Sequence, residues 1–231
     1  MVGCMGNWFG GDDYRALVVT ALLVLCCAAY ATVEKAPTDA RLLEARKAFE
    51  EGKKLKEGGQ YAEAVLLVER SLELRETVRG EAHPEVASCL DLLGVVHRLQ
   101  GDHARAEPLL QRAHAIREAT LGKNHPDVAS SLNNLALLYH DQGNYERAEP
   151  LYERALAIRE AALGENHPNV AGSLNNLALL YRDQGSYARA ERLYERALAI
   201  REAALGENHL EGPCRSSRVH SLSPRSTCAK R

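Results

Sequence analysis

Between residues 129 and 162 the apolar positions recur at spacings of three and four. Leu132, Leu135, Ala136 and Tyr139 form one stripe; Ala148, Leu151, Tyr152, Ala155 and Ile158 form a second. Such spacing predicts two amphipathic helices, A and B, each turning one face to a core. Gly143 ends helix A, and Asn144 is placed to cap helix B. Asp102 and Ser186 hold the same place in neighbouring segments, with Gln60 the exception. Small residues stand where the two helices must cross closely: Ala136 with Ala148, Gly94 with Ala106, Ala178 with Ala190. Leu163-Gly164 closes helix B, the glycine being free to take a left-handed conformation. His167-Pro168 opens the next helix A, since proline suits a first helical turn and pushes its predecessor out of helix. Pro108 and Pro150 fall early in helix B, near enough its start to bend it rather than break it.

The pattern is periodic. His83, His125, His167 and His209 are each 42 residues apart, and residues 171–209 repeat residues 129–167 with five changes: Ser130 to Gly172, His140 to Arg182, Asn144 to Ser186, Glu146 to Ala188 and Pro150 to Arg192. A fixed period of this size predicts an all-α solenoid, in which each helix pair buries its apolar face only against its neighbours. The usual product of that architecture is an extended concave surface, which points to binding rather than catalysis.

The run from Leu132 to Tyr139 (LNNLALLY), then Gly143, Tyr145, Ala148, Glu149, Tyr152-Glu153-Arg154-Ala155-Leu156, Leu163-Gly164 and His167-Pro168 resemble the tetratricopeptide repeat. The resemblance is closest to the 42-residue variety of kinesin light chains and of many bacterial multi-repeat proteins. It covers about residues 45–209 and implies a right-handed superhelix of four antiparallel helix pairs, at about 45–78, 87–120, 129–162 and 171–204. The first repeat is weakest, keeping Gly52, Gly59, Tyr61 and Ala64, and residues 38–44 lengthen its first helix, which starts at Thr38 or Asp39.

The resemblance also implies that helix A lines a groove receiving an extended or helical peptide. By position, that groove takes Asn133, Asn134, Leu137, His140 and Asp141 from repeat three, and Asn175, Asn176, Leu179, Arg182 and Asp183 from repeat four. Repeat two supplies Asp91, Leu92, Val95 and Arg98. Asparagine amides both donate to and accept from a peptide backbone whatever its side chains. Phe49-Glu50 and Asp91-Leu92 replace the asparagine pairs in repeats one and two, so the amide row spans half the groove; one asparagine of each pair has a neighbouring helix as its alternative partner. One groove position is basic throughout, as Lys56, Arg98, His140 and Arg182, which favours an acidic ligand unless Asp141 and Asp183 neutralise the row.

Composition narrows the reading further. Net charge is −2 with no long run of one sign, which gives no footing for broad nucleic-acid binding. The periodic histidines are too far apart along a solenoid to converge on one metal and read as structural. No phosphate loop, H-E-x-x-H, C-x-x-C or G-x-S-x-G motif occurs, and no cofactor or catalytic residue is expected. Glu153-Arg154 and Arg159-Glu160 read as a solvated outer face. Cys89, where sister repeats carry Ser131 and Ser173, reads as a small semi-buried helix residue.

Two flanks differ from the repeats. Residues 16–33 carry no charge, and Ala29-Tyr30-Ala31 is a signal-peptidase pattern, predicting cleavage after Ala31 and export; an uncleaved membrane anchor, lipidation at Cys26 or Cys27, and a buried helix packing on the first repeat are the alternatives. Residues 1–37 are therefore a targeting segment with its linker, and 38–209 the solenoid. Residues 210–231 lose the helical period and carry five basic residues against Glu211, which predicts a disordered basic tail or a frameshifted end. The expected role is a protein-interaction scaffold with a peptide or protein partner, able to self-associate through an uncapped last repeat. The alternative is the regulatory arm of a truncated signalling protein.

Overall fold

The computed structural model describes residues 38–205; residues 1–37, where a targeting segment is expected, and the basic residues 210–231 lie outside them. Eight helices and no strand occur among the described residues: α1 Thr38–Glu57, α2 Tyr61–Arg79, α3 Pro84–Leu99, α4 His103–Leu121, α5 Pro126–Asp141, α6 Tyr145–Leu163, α7 Pro168–Asp183 and α8 Tyr187–Leu205. Odd-numbered helices are type A and even-numbered ones type B. Every helix packs on the next in sequence, and the A helices also touch one another, α1 with α3, α3 with α5 and α5 with α7. Direct contact between A helices puts them on the tighter, inner side of an α-solenoid. None of the described helices is long and apolar enough to cross a membrane.

Local chemistry sets the helix boundaries. His83, His125 and His167 are N-caps in extended conformation, each Nδ1 accepting from the backbone N–H two residues on, with proline as the first helical residue. This is the work of the periodic histidines. Asp102 and Asn144 cap α4 and α6 by accepting from the N–H of Arg105 and Arg147, whereas Gln60 makes no side-chain cap bond. Gly164 takes φ 86°, as the left-handed expectation requires, but ψ is 152°. That is an extended mirror-image conformation open almost only to glycine, and it turns the chain sharply into His167. α4 and α6 run unbroken through Pro108 and Pro150.

The core is a row of small, similar clusters. Leu132, Leu135, Ala136 and Tyr139 are buried as the period requires, as are Ala148, Tyr152, Ala155 and Ile158, while Leu151 is half-buried. The crossing position varies in step with its neighbour. A Cβ added to Gly94 would lie 2.6 Å from Leu110 Cγ, and one added to Gly52 2.5 Å from Val68 Cγ2. In repeat three the same pair is Ala136 with Tyr152. The flat ring admits the methyl that a branched side chain excludes.

Candidate functional site

Asn133, Asn134, Asn175 and Asn176 lie on α5 and α7, and the structure gives them partners. Asn176 Nδ2 donates to Asn133 Oδ1 at 2.8 Å, and Asn134 Nδ2 to Asp91 Oδ1 at 3.0 Å. Both bonds join residues 43 apart, so each A helix meets the next one position out of register with the repeat. In the orientation that satisfies both groups, Asn175 Oδ1 accepts from the Arg201 guanidinium at 2.5 and 3.1 Å. Asn133 is 9% exposed; Asn134, Asn175 and Asn176 are half-buried. Two separate bonds thus step along the A helices, Asp91 with Asn134 and Asn133 with Asn176, and the second asparagine of each pair is the one that reaches back across the repeat boundary. Asn134 Oδ1 and Asn176 Oδ1 accept no bond from the described residues.

The basic row is tied into the same step of 43. Arg98 Nη1 contacts Asp141 Oδ2, and His140 Nε2 lies 3.0 Å from Asp183 Oδ2, a carboxylate that Arg182 also reaches from Nε at 2.8 Å. The Arg182 guanidinium, and to a lesser degree His140, hold the Asp183 carboxyl below its ordinary range. Lys56 makes no ion pair among the described residues. Of the apolar groove positions, Leu92, Val95, Leu137 and Leu179 are half-buried, and the first three also pack on core clusters. The sequence placed these residues on one face, and α3, α5 and α7 do bring them side by side.

The B helices contribute residues that the sequence reading left outside the site. Arg75, Arg117 and Arg159 recur at the 42-residue spacing and reach inward. Arg117 Nη1 donates to Asp91 Oδ2 at 2.9 Å and to Ser131 Oγ at 2.6 Å; Arg159 Nη1 donates to Ser173 Oγ at 2.6 Å. Burial lowers the pKa of Arg159. Arg75 stacks over the Phe49 ring at 4.7 Å and donates to Glu85 O and Cys89 Sγ. Cys89 is therefore wholly buried rather than semi-buried, and burial pushes its thiol pKa up. The recurrence of an arginine every 42 residues was the available signal; it was masked because arginine on a helix usually means surface.

A second correction concerns the outer face. Arg112–Glu76 at 2.7 Å, Arg154–Glu118 and Arg196–Glu160 at 2.7 Å link successive B helices in a row of ion pairs, so Arg154 is a joint rather than a solvated charge. A third joint fastens α5 and α7 each to the B helix before it. Tyr139 Oη donates to Glu107 Oε1 at 2.8 Å and Tyr181 Oη to Glu149 Oε1 at 2.9 Å, with Arg147 stacked 3.9 Å over the Tyr139 ring. Burial first, then the Glu149 carboxylate, push the Tyr181 pKa up to about 12.

Comparison with known proteins agrees with this geometry. A tetratricopeptide repeat family model matches residues 54–119, 92–161 and 127–203. BtubC (BKLC) from P. vanneervenii is 25% identical, the alignment covering 85% of this chain and 72% of that one with a TM-score of 0.65. A Podosopora anserina protein of kinesin light chain type, with nearly identical TPR-like repeats, is 27% identical over 70% of this chain and 76% of its own, at a TM-score of 0.58. Aspartyl phosphate phosphatase F from Bacillus subtilis shares the fold alone, at 19% identity, 71% and 42% coverage and a TM-score of 0.60. None of the curated protein sequences matches the chain. The matched repeats span residues 54–203, and their helix pairs stack as the family's do: the chain belongs to the tetratricopeptide repeat family, in its kinesin-light-chain-like form.

Proposed function

We propose that this chain is a non-catalytic scaffold that holds an extended peptide of a partner protein along its A helices. The observation that carries this reading is the pair of bonds between successive A helices, Asn134 to Asp91 and Asn176 to Asn133. The two bonds hold the amides of Asn133, Asn134 and Asn176, while Asn134 Oδ1 and Asn176 Oδ1 accept nothing from the described residues and can take a ligand backbone N–H. Half-buried Leu137 and Leu179 offer apolar contact on the same face. The basic row contributes less than its sequence implies, since Asp141 and Asp183 offset Arg98, His140 and Arg182. Preference for an acidic ligand then falls mainly to Lys56, and recognition of backbone is the larger part.

Selecting peptides on the full chain from a random display library tests this. Replacing Asn134 and Asn176 by Ala should weaken the selected peptide roughly tenfold, the effect of losing about two hydrogen bonds. Unchanged affinity would place binding on another surface. Export belongs to the same proposal, on the strength of Ala29-Tyr30-Ala31 behind an uncharged run. N-terminal sequencing should find Thr32 first; an intact chain in the membrane would instead favour the anchor, and an intact chain free in the cytosol would remove export.

A further inference from the structure

The two ends of the solenoid are chemically unlike. On α3, α5 and α7 the side facing the preceding B helix is buried and uncharged; on α7 it comprises Val170, Ser173, Leu177 and Leu180. One repeat period earlier for each successive helix, α1 carries Glu44, Lys47, Glu51 and Lys54 at those places, all exposed. A charged outer face is how a repeat array stops, so α1 is a closed end.

α8 is an open one. An open hollow of about 600 Å³ is lined by Arg182, Tyr187, Ala190, Glu191, Tyr194, Glu195 and Leu198. Its six α8 residues are identical to Tyr145, Ala148, Glu149, Tyr152, Glu153 and Leu156 of α6. The molecule itself displays what covers that surface when it is occupied. α7 lays Leu177, Leu180 and Tyr181 against Tyr152 in one cluster, Tyr181 Oη donates to Glu149 and Glu153, and Gln184 Nε2 donates to Glu149 Oε2 at 3.4 Å. On α8 the same carboxylates, Glu191 and Glu195, are exposed, Tyr187 is 70% exposed and Leu198 is 46% exposed.

We propose that α8 is a docking surface for an amphipathic helix of a partner protein, one that presents Leu, Leu, Tyr and Gln at positions i, i+3, i+4 and i+7. Shape and polarity both specify this occupant: an apolar stripe to fill the hollow, a phenol and an amide to meet the two carboxylates. A second copy does not supply it. Its α1 offers Glu51 and Lys54 where Leu177 and Leu180 are required, and its α5 and α7 already have that stripe buried. Residues 206–231 place Val219 and Leu222 in the apolar register but Ser223 and Ser226 at the Tyr and Gln positions. This surface is separate from the groove, so the inference stands or falls apart from the peptide reading above.

The probe is a labelled synthetic peptide of residues 166–184, which carries the α7 stripe, titrated against the full chain by fluorescence anisotropy. Saturable binding is expected. A peptide with Tyr181→Phe should bind about tenfold more weakly, as should the wild-type peptide to a Glu191→Gln/Glu195→Gln chain whose circular dichroism is unchanged. Binding indifferent to Glu191→Gln/Glu195→Gln would overturn the proposal, because the peptide would then be displacing α7 from α6. Failure to bind would overturn it equally; sedimentation velocity of the free chain then assigns α8 to self-pairing if dimers appear, and to residues 206–231 if it is monomeric.

Discussion

Asn176 reaches back across a repeat boundary to Asn133, Nδ2 to Oδ1 at 2.8 Å, and Asn134 reaches in the same way to Asp91 at 3.0 Å. Asn133, Asn134 and Asn176 are thus structural joints between repeats. Asn176→Ala leaves the nearly buried Asn133 oxygen without its donor and should cost about 1–2 kcal/mol in urea denaturation. A variant as stable as the parent would show that water replaces the bond and that the bond does not help hold the repeats in register.

The pairing of crossing residues gives a second expectation. Gly94→Ala places a methyl 2.6 Å from Leu110 Cγ and should destabilise by about 1–3 kcal/mol, outweighing the better helix propensity of alanine. Adding Leu110→Tyr recreates the Ala136–Tyr152 pair of repeat three and should recover most of the loss. A double-mutant cycle with no coupling energy would mean that the two positions accommodate each other independently.

His114 supplies the pH test. Leu72, Leu156 and Leu198 occupy its place in the other repeats, and its Nδ1 is buried without a partner. Burial lowers its pKa in the fold, so the unfolded chain binds the proton more readily. Its contribution to stability is present above the unfolded value of about 6.5 and is lost as pH falls through the folded value. Glu118, lowered chiefly by the Arg154 hydrogen bond, has the same sign at lower pH: its contribution fades as pH falls through its own folded value. His114→Leu should raise stability at pH 7 by about 1–2 kcal/mol and more at pH 5. Equal gains at both pH values would separate the packing effect from protonation.

Hydrogen exchange compares the last two repeats directly. α6 and α8 share nearly all their sequence, yet α6 is covered by α7, while α8 leaves Tyr187 and Leu198 exposed. Amides of α8 should exchange faster than those of α6 in a monomeric sample. Equal protection would mean that something already covers α8.

The helix faces were legible because a core stripe is a local property. Leu132, Leu135, Ala136 and Tyr139 declare their side of a helix within eight residues, and the histidine-proline step declares where a helix starts. The joints between repeats were not legible in the same way. Asn134 with Asp91 and Arg98 with Asp141 meet at a separation of 43, while Arg154 with Glu118 meets at 36. Those offsets are set by how one helix pair settles on the next, which no stretch of local sequence encodes. The buried arginines were obscured by their own chemistry: Arg117 is 9% exposed only because Asp91 and Ser131 converge on it from the neighbouring A helices.

Because residues 129–167 and 171–209 differ at only five places, loss of any 42 consecutive residues that begin within the first copy rejoins the chain in register. The rejoined repeat meets repeat two as residues 129–162 do now, with the same crossing alanine, the same tyrosine–glutamate joint and the same asparagine–Asp91 bond. Duplication of 42 residues does likewise. Array length can therefore change by slippage between gene copies without any interface having to be invented, and the reach of the groove can grow or shrink one helix pair at a time.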